Sequence, residues 1–131
     1  MNSGEIVAVS LDTLAERVGD PAPQVYVRLF AAHPEMDALF VRDTTSAVRS
    51  EMLAMAFECL LDIGGPGAYA ANLIAAERVN HEGVGVPHEV FGRFFPIVAQ
   101  TCRELLGEAW TAEVDAGCAD LQARIGVFTP I

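Results

Sequence analysis

The stretch of sequence that decides the fold is HEGVGVPHEVF, residues 81–91. Its first residue, His81, ends a helical segment, and a glycine-rich corner separates that segment from Pro87, which is suited to the first turn of a new helix. The new helix then places three aromatic rings on one face, those of Phe91, Phe94 and Phe95. This stretch therefore predicts two helices that meet beside a histidine and a wall of aromatic rings.

The rest of the chain shows the same helical periodicity, with apolar residues three and four positions apart. Breaks are predicted at Gly19, at Pro34 and at the Gly-Gly-Pro-Gly run of residues 64–67. We therefore expect an all-α protein, folded as a single domain over residues 1–131 with about seven helices. The predicted helical segments cover approximately residues 10–18, 21–33, 34–40, 45–63, 68–81, 87–106 and 111–125.

Hydroxyl side chains are predicted to cap three of these helices. Ser10 is expected to cap the first helix, and Thr44 or Thr45 the long helix before residues 64–67. Thr111 is expected to cap the last helix.

Charge and hydrophobicity exclude several functions. Eight Lys and Arg residues against 18 Asp and Glu residues give a net charge of −10, so no basic surface for nucleic acid is expected. The hydrophobic fraction of 52% excludes a disordered chain. The longest stretch of low charge, residues 59–76, contains Asp62 and the glycine run, so we expect no membrane span. The N-terminal residues do not resemble a secretion signal and the three cysteines form no close pair, which predicts reduced thiols in a cytoplasmic protein.

Histidine is the only side chain that offers a candidate metal site. His33, His81 and His88 have no histidine partner four positions away, so a two-histidine zinc site is not expected. A lone histidine on a helix is usually structural, and we expect His33 and His88 to lie at the surface. His81 differs because of its aromatic surroundings, which suit a large, flat, apolar cofactor held by one axial nitrogen.

Three segments together resemble the globins, most closely the bacterial single-domain globins and the globin domain of flavohaemoglobins. They are YVRLFAAHPEMDALF (residues 26–40), HEGVGVPHEVF (residues 81–91) and LLGEAWTAE (residues 105–113), and they occur in the order and spacing of that family. The resemblance implies a globin fold around a pocket for haem b.

The resemblance also implies roles for individual residues. His81 would be the proximal ligand of the haem iron, and Phe40 would pack flat on the haem. The residues expected to contact the haem are Phe40, Val48, Met52, Val86, Phe91 and Phe94.

On the distal side, Tyr26 would donate a hydrogen bond to the bound gas. Val48 occupies the position usually held by glutamine or histidine, although a one-residue shift in loop length would place Arg49 there instead. Met52, one turn further on, would overhang the iron. The alternative for Tyr26 is an ordinary core tyrosine bonded to a backbone carbonyl group.

Three residues depart from the family pattern. An apolar Val48 would leave Tyr26 as the only distal donor. Phe91 replaces a tyrosine that helps to hold the proximal histidine, and Gly117 replaces a common tryptophan. The loss of that tyrosine predicts a less electron-donating His81 and weaker oxygen-activating chemistry.

The function implied by the resemblance is reversible binding of dioxygen, or of nitric oxide or carbon monoxide, by a monomer or homodimer. We do not assign an enzymatic activity, because conversion of nitric oxide would require a separate reductase. The alternative is a globin-fold sensor of gas or redox state, or a haem-free regulatory module that interacts with a partner.

Overall fold

A computed structural model describes residues 1–129 as helices joined by short connections, with no strand in that part of the chain. The prediction of an all-α fold with seven helices is confirmed if the 3₁₀ segment Pro34–Phe40 is counted. Residues 130 and 131 of the predicted domain lie outside the described residues. The α-helices are α1 (Ser3–Val18), α2 (Ala22–Ala32), α3 (Ala47–Ile63), α4 (Ala70–Gly83), α5 (His88–Leu106) and α6 (Ala112–Gly126), and a 3₁₀ turn at Gly107–Ala109 precedes α6.

The start of α1 differs from the prediction. The helix begins at Ser3, where the side chain of Asn2 accepts a hydrogen bond from the backbone N–H of Glu5 at 2.8 Å. Ser10 lies inside the helix, and its hydroxyl donates to the carbonyl oxygen of Ile6 at 3.1 Å. The predicted cap at Ser10 is therefore wrong, because a serine within a helix can satisfy its hydroxyl through the preceding turn.

The predicted threonine caps of α3 are also wrong. The carboxylate of Asp43 accepts hydrogen bonds from the backbone N–H groups of Val48 and Arg49 at 3.1 and 3.0 Å. A carboxylate fits this position because a helix begins with free N–H groups and a partial positive charge. Thr111, in contrast, caps α6 as predicted and accepts from Val114.

Asp62 connects α3 to α4. Its buried carboxylate accepts hydrogen bonds from the backbone N–H groups of Ala68, Tyr69 and Ala70 at 3.0, 3.1 and 2.8 Å. Burial alone would raise the pKa of Asp62, but these three hydrogen bonds outweigh burial and hold the pKa below its ordinary value. The residue therefore fixes the direction in which α4 leaves the glycine run.

The hydrophobic core forms two clusters, and Phe57 and Phe94 pack against both. One cluster surrounds Val25 and Leu53, and the other surrounds Ile74 and Leu121. No helix formed by residues 1–129 is long and apolar enough to cross a membrane.

Gly4, near the start of α1, lies where the backbones of two helices approach closely. A β-carbon added to Gly4 would lie 2.3 Å from the carbonyl oxygen of Gly64, at the end of α3. Gly117 of α6 also faces α1, but a β-carbon there would lie 3.5 Å from Ile6 and 3.6 Å from Ser3, which is ordinary contact. A large aromatic side chain at position 117 would collide with α1.

We expect Gly4→Ala to lower the free energy of unfolding by about 1–3 kcal/mol, because the new methyl group must push two backbones apart. The matched variant Gly117→Ala should instead raise it by about 0.5–1 kcal/mol, because alanine favours the helix and fits the available space. Urea denaturation of both variants and the parent measures this difference. Equal effects of the two substitutions would show that α1 does not approach Gly64 this closely.

Candidate functional site

An apolar cavity opens between α2, the 3₁₀ segment, α3, α4 and α5. Its volume is about 130 Å³, below the roughly 300–1,000 Å³ of typical ligand pockets, so its walls must move apart to admit a large cofactor. Its lining is almost entirely apolar. Seven of the predicted site residues line it: Tyr26, Phe40, Met52, His81, Val86, Phe91 and Phe94.

The structure does not bring Val48 to the cavity. Val48 lies in the first turn of α3 and is 51% exposed, whereas Met52, one turn later, is the first residue of α3 to line the wall. The predicted contact of Val48 with a haem is therefore not supported by this placement. The helix starts at Ala47, and no residue of its first turn lines the cavity.

Arg49, the alternative distal residue, lies beside the wall rather than in it. Its Nε donates to the Asp43 carboxylate at 3.0 Å, and its Nη2 donates to the Asp43 carbonyl oxygen at 2.7 Å. Its guanidinium lies 5.9 Å from the centre of the Phe40 ring. Asp43 therefore holds the Arg49 guanidinium over the Phe40 ring.

His81 occupies the last turn of α4 with its ring in a defined orientation. Its Nδ1 lies 2.7 Å from the backbone carbonyl oxygen of Glu77. A carbonyl oxygen can only accept, so Nδ1 carries a proton, and in the neutral form of the ring the lone pair is then on Nε2. The ring also packs against Phe91, with the two centres 5.0 Å apart. This is the tautomer that a metal requires of a histidine bound through Nε2.

The hydrogen bond of His81 bears on the expectation that a missing tyrosine leaves this histidine less electron-donating, which stays a prediction. Phe91 has no hydroxyl to hold the histidine, but Nδ1 does not lack an acceptor, because the carbonyl group of Glu77 takes that place. The Oε2 atom of the Glu77 carboxylate also lies near this nitrogen, at 3.5 Å from Nδ1.

Tyr26 is buried among aromatic rings with an unused hydroxyl. Only 2% of the residue is exposed, and its ring centre lies 5.4 Å from that of Phe40 and 5.8 Å from those of Phe30 and Phe94. Its Oη has no hydrogen-bond partner, so the alternative of a core tyrosine bonded to a carbonyl group is wrong. A buried hydroxyl without a partner lowers the stability of the fold by about 1–3 kcal/mol. A ligand that accepts a hydrogen bond from this hydroxyl would recover that free energy.

The protonation state of Tyr26 suits a hydrogen-bond donor. Burial raises its pKa well above the ordinary value for a phenol, and the nearby charge of Arg49 only partly opposes this effect. The hydroxyl therefore keeps its proton throughout the physiological range of pH.

The other two histidines lie away from the cavity lining. Nδ1 of His33 is 3.7 Å from the carboxylate of Glu35, and His88 contacts the carboxylate of Glu82. Within residues 1–129, no group of three or more His, Cys, Asp or Glu side chains is placed to hold a metal ion. The three cysteines are free, and burial raises the pKa of the Cys102 thiol to about 12.

Sequence reasoning missed two polar residues of the wall, Glu77 and Cys59. Glu77 lies four positions before His81, so its position on the same helical face was readable from the spacing. Cys59 lies seven positions after Met52 on α3 and is 4% exposed. Neither residue belongs to the three segments that carry the family resemblance.

Comparison of the chain with protein-family models, with curated proteins and with solved structures gave no match. The interpretation of the cavity consequently rests on its own geometry and on the resemblance seen in the sequence.

We expect Tyr26→Phe to raise the free energy of unfolding of the protein without a ligand by about 1 kcal/mol, because it removes a buried hydroxyl that has no partner. Tyr69→Phe is the matched control: that tyrosine is 46% exposed, and its substitution should change stability by less than about 0.5 kcal/mol. Urea denaturation measures both values. A loss of stability in Tyr26→Phe would mean that the phenol has a structural partner.

Proposed function

We propose that the cavity holds one non-covalent haem b and that the protein is a globin that binds dioxygen reversibly, or nitric oxide or carbon monoxide. One observation carries this proposal. The same apolar cavity is lined by an imidazole anchored through Nδ1 to a backbone carbonyl oxygen and by a buried phenol whose hydroxyl has no partner.

The residues present fit a haem. The porphyrin supplies four nitrogen ligands itself, so the protein needs to add only one axial nitrogen, and His81 offers it. Phe40, Phe91 and Phe94 provide aromatic walls for a flat apolar ring. The open mouth gives the carboxylate groups of a haem access to water.

Each residue would have a separate task in this arrangement. A haem, when bound, would supply an iron atom that binds a diatomic gas reversibly. His81 would bind the iron through Nε2 while its Nδ1 stays anchored to Glu77. Tyr26 would donate a hydrogen bond into the cavity, and Met52 would limit the space beside it.

The resemblance to globins supports the same assignment. Helix α4 carries His81, and Phe40 ends the 3₁₀ segment, as the family order implies. We include in the proposal a cytoplasmic location, a monomer or homodimer, and no nucleic-acid or membrane partner. Conversion of nitric oxide would need electrons from a separate reductase, so we assign gas binding and no enzymatic activity.

The second candidate is a sensor or a haem-free regulatory module of the same fold. A sensor would use the same haem and report ligand binding to a partner. A haem-free module has no need of a histidine anchored through Nδ1 beside an apolar cavity. The geometry of His81 therefore favours a haem protein.

We expect the wild-type protein supplied with haem to show a Soret band with one haem per chain, and His81→Ala to lose the axial bond. His88→Ala is the control, because His88 does not line the cavity. Added imidazole should restore the lost ligation in His81→Ala, since it replaces the missing ring. Absorbance spectra test this directly: a wild-type protein without a Soret band contradicts the haem proposal, and an unchanged His81→Ala spectrum contradicts the choice of His81.

We expect Tyr26→Phe to accelerate dioxygen release by roughly ten- to a hundredfold, which corresponds to the loss of about 1.5–3 kcal/mol from one hydrogen bond to a partly charged acceptor. Carbon monoxide is a weaker acceptor, so its release should change much less. Stopped-flow measurement of both rates decides between the alternatives. If both gases leave the variant at wild-type rates, Tyr26 donates to neither, and Arg49 or a water molecule becomes the better candidate for the distal donor.

A further inference from the structure

Glu77 is the only carboxylate among the described residues that line the cavity. It lies one turn before His81 on α4, and its side chain is 35% exposed. A carboxylate at the edge of an apolar cavity loses part of its hydration, which is unfavourable unless nearby polar groups compensate for it. The polar groups that lie next to the Glu77 carboxylate are therefore the ones that compensate for this loss.

The carboxylate faces the imidazole of His81. Its Oε2 lies 3.5 Å from Nδ1, and its Oε1 accepts a hydrogen bond from Nδ2 of Asn80 at 3.4 Å. The backbone carbonyl oxygen of the same residue accepts the Nδ1–H hydrogen bond at 2.7 Å. Glu77 thus provides two separate contacts to one nitrogen: a hydrogen bond from the backbone and a negative charge from the side chain.

We propose that the Glu77 carboxylate is a positioning residue that makes His81 a more electron-donating axial ligand. This inference rests on the proposed haem function. A negative charge close to the Nδ1–H bond favours movement of electron density toward Nε2, where the iron would be bound. A more basic axial ligand stabilises the ferric state of the iron relative to the ferrous state.

A purely structural role predicts a different outcome. Glutamate and histidine four positions apart on a helix can form a surface ion pair, and such a pair requires a protonated imidazole. A histidine that binds iron through Nε2 with its proton on Nδ1 is neutral, so that ion pair would have no role in the loaded protein. Only an effect of the carboxylate on the electron donation of His81 predicts a change in the iron–histidine stretching frequency and in the reduction potential.

The test compares the haem-loaded full chain with the variants Glu77→Gln and Glu82→Gln. Glutamine at position 77 removes the charge but keeps the backbone carbonyl group, so the hydrogen bond at Nδ1 is constant throughout. Glu82 is the matched control, because it follows His81 directly in the sequence but contacts His88. Resonance Raman spectroscopy reports the iron–histidine stretching frequency, and potentiometry reports the one-electron reduction potential.

We expect Glu77→Gln to lower the iron–histidine frequency and to weaken binding of ferric relative to ferrous haem by roughly tenfold. For a one-electron couple, a tenfold change is a shift of about 59 mV toward positive potential. Glu82→Gln should leave the frequency unchanged and move the potential much less.

Two results would overturn the inference: Glu77→Gln indistinguishable from wild type in both measurements, or Glu82→Gln shifting both as much as Glu77→Gln, which would indicate a general effect of net charge. A wild-type protein that shows no Soret band overturns the haem assignment together with this inference. That failure is seen in the wild-type spectrum alone, so it is distinguishable from the failure of Glu77 to tune His81.

Discussion

The three hydrogen bonds to the carboxylate of Asp62 determine how two walls of the cavity are placed. Asp62 lies in the last turn of α3 and accepts from the backbone N–H groups of residues 68–70, which lead into α4 on the other side of the Gly-Gly-Pro-Gly run. The direction of α4 follows from this contact, and with it the position of His81 near the far end of α4, about three turns away. A chain that had only hydrophobic contacts at this corner would leave α4 free to rotate, and the imidazole would not face the cavity reliably.

Much of the fold could be predicted because its signals are local. Gly19 and Pro34 interrupt helices through their own backbone preferences, and Thr111 caps α6 with a side chain that reaches only three residues ahead. The caps that were predicted wrongly depend on longer reach. Asp43 accepts from residues five and six positions later, which no pattern of single capping residues describes.

In the candidate site, too, some residues could be predicted from the sequence and others could not. Tyr26, Phe40 and His81 were predicted as members of one site because their segments resemble a family in which these positions meet, and the structure brings all three to one cavity. Val48 was placed by counting through a loop, and the actual start of α3 puts it outside. The free hydroxyl of Tyr26 could not be predicted at all, because the absence of a partner depends on every residue around it.

The unpartnered hydroxyl of Tyr26 has a consequence for the life of the protein in a cell. Any ligand that fills the cavity and accepts this hydrogen bond binds only the folded chain, so it adds to the stability of the fold in proportion to the logarithm of its concentration. The empty chain unfolds more often and is exposed more often to proteases. The fraction of folded chain would therefore rise with the concentration of any molecule that fills the cavity in this way.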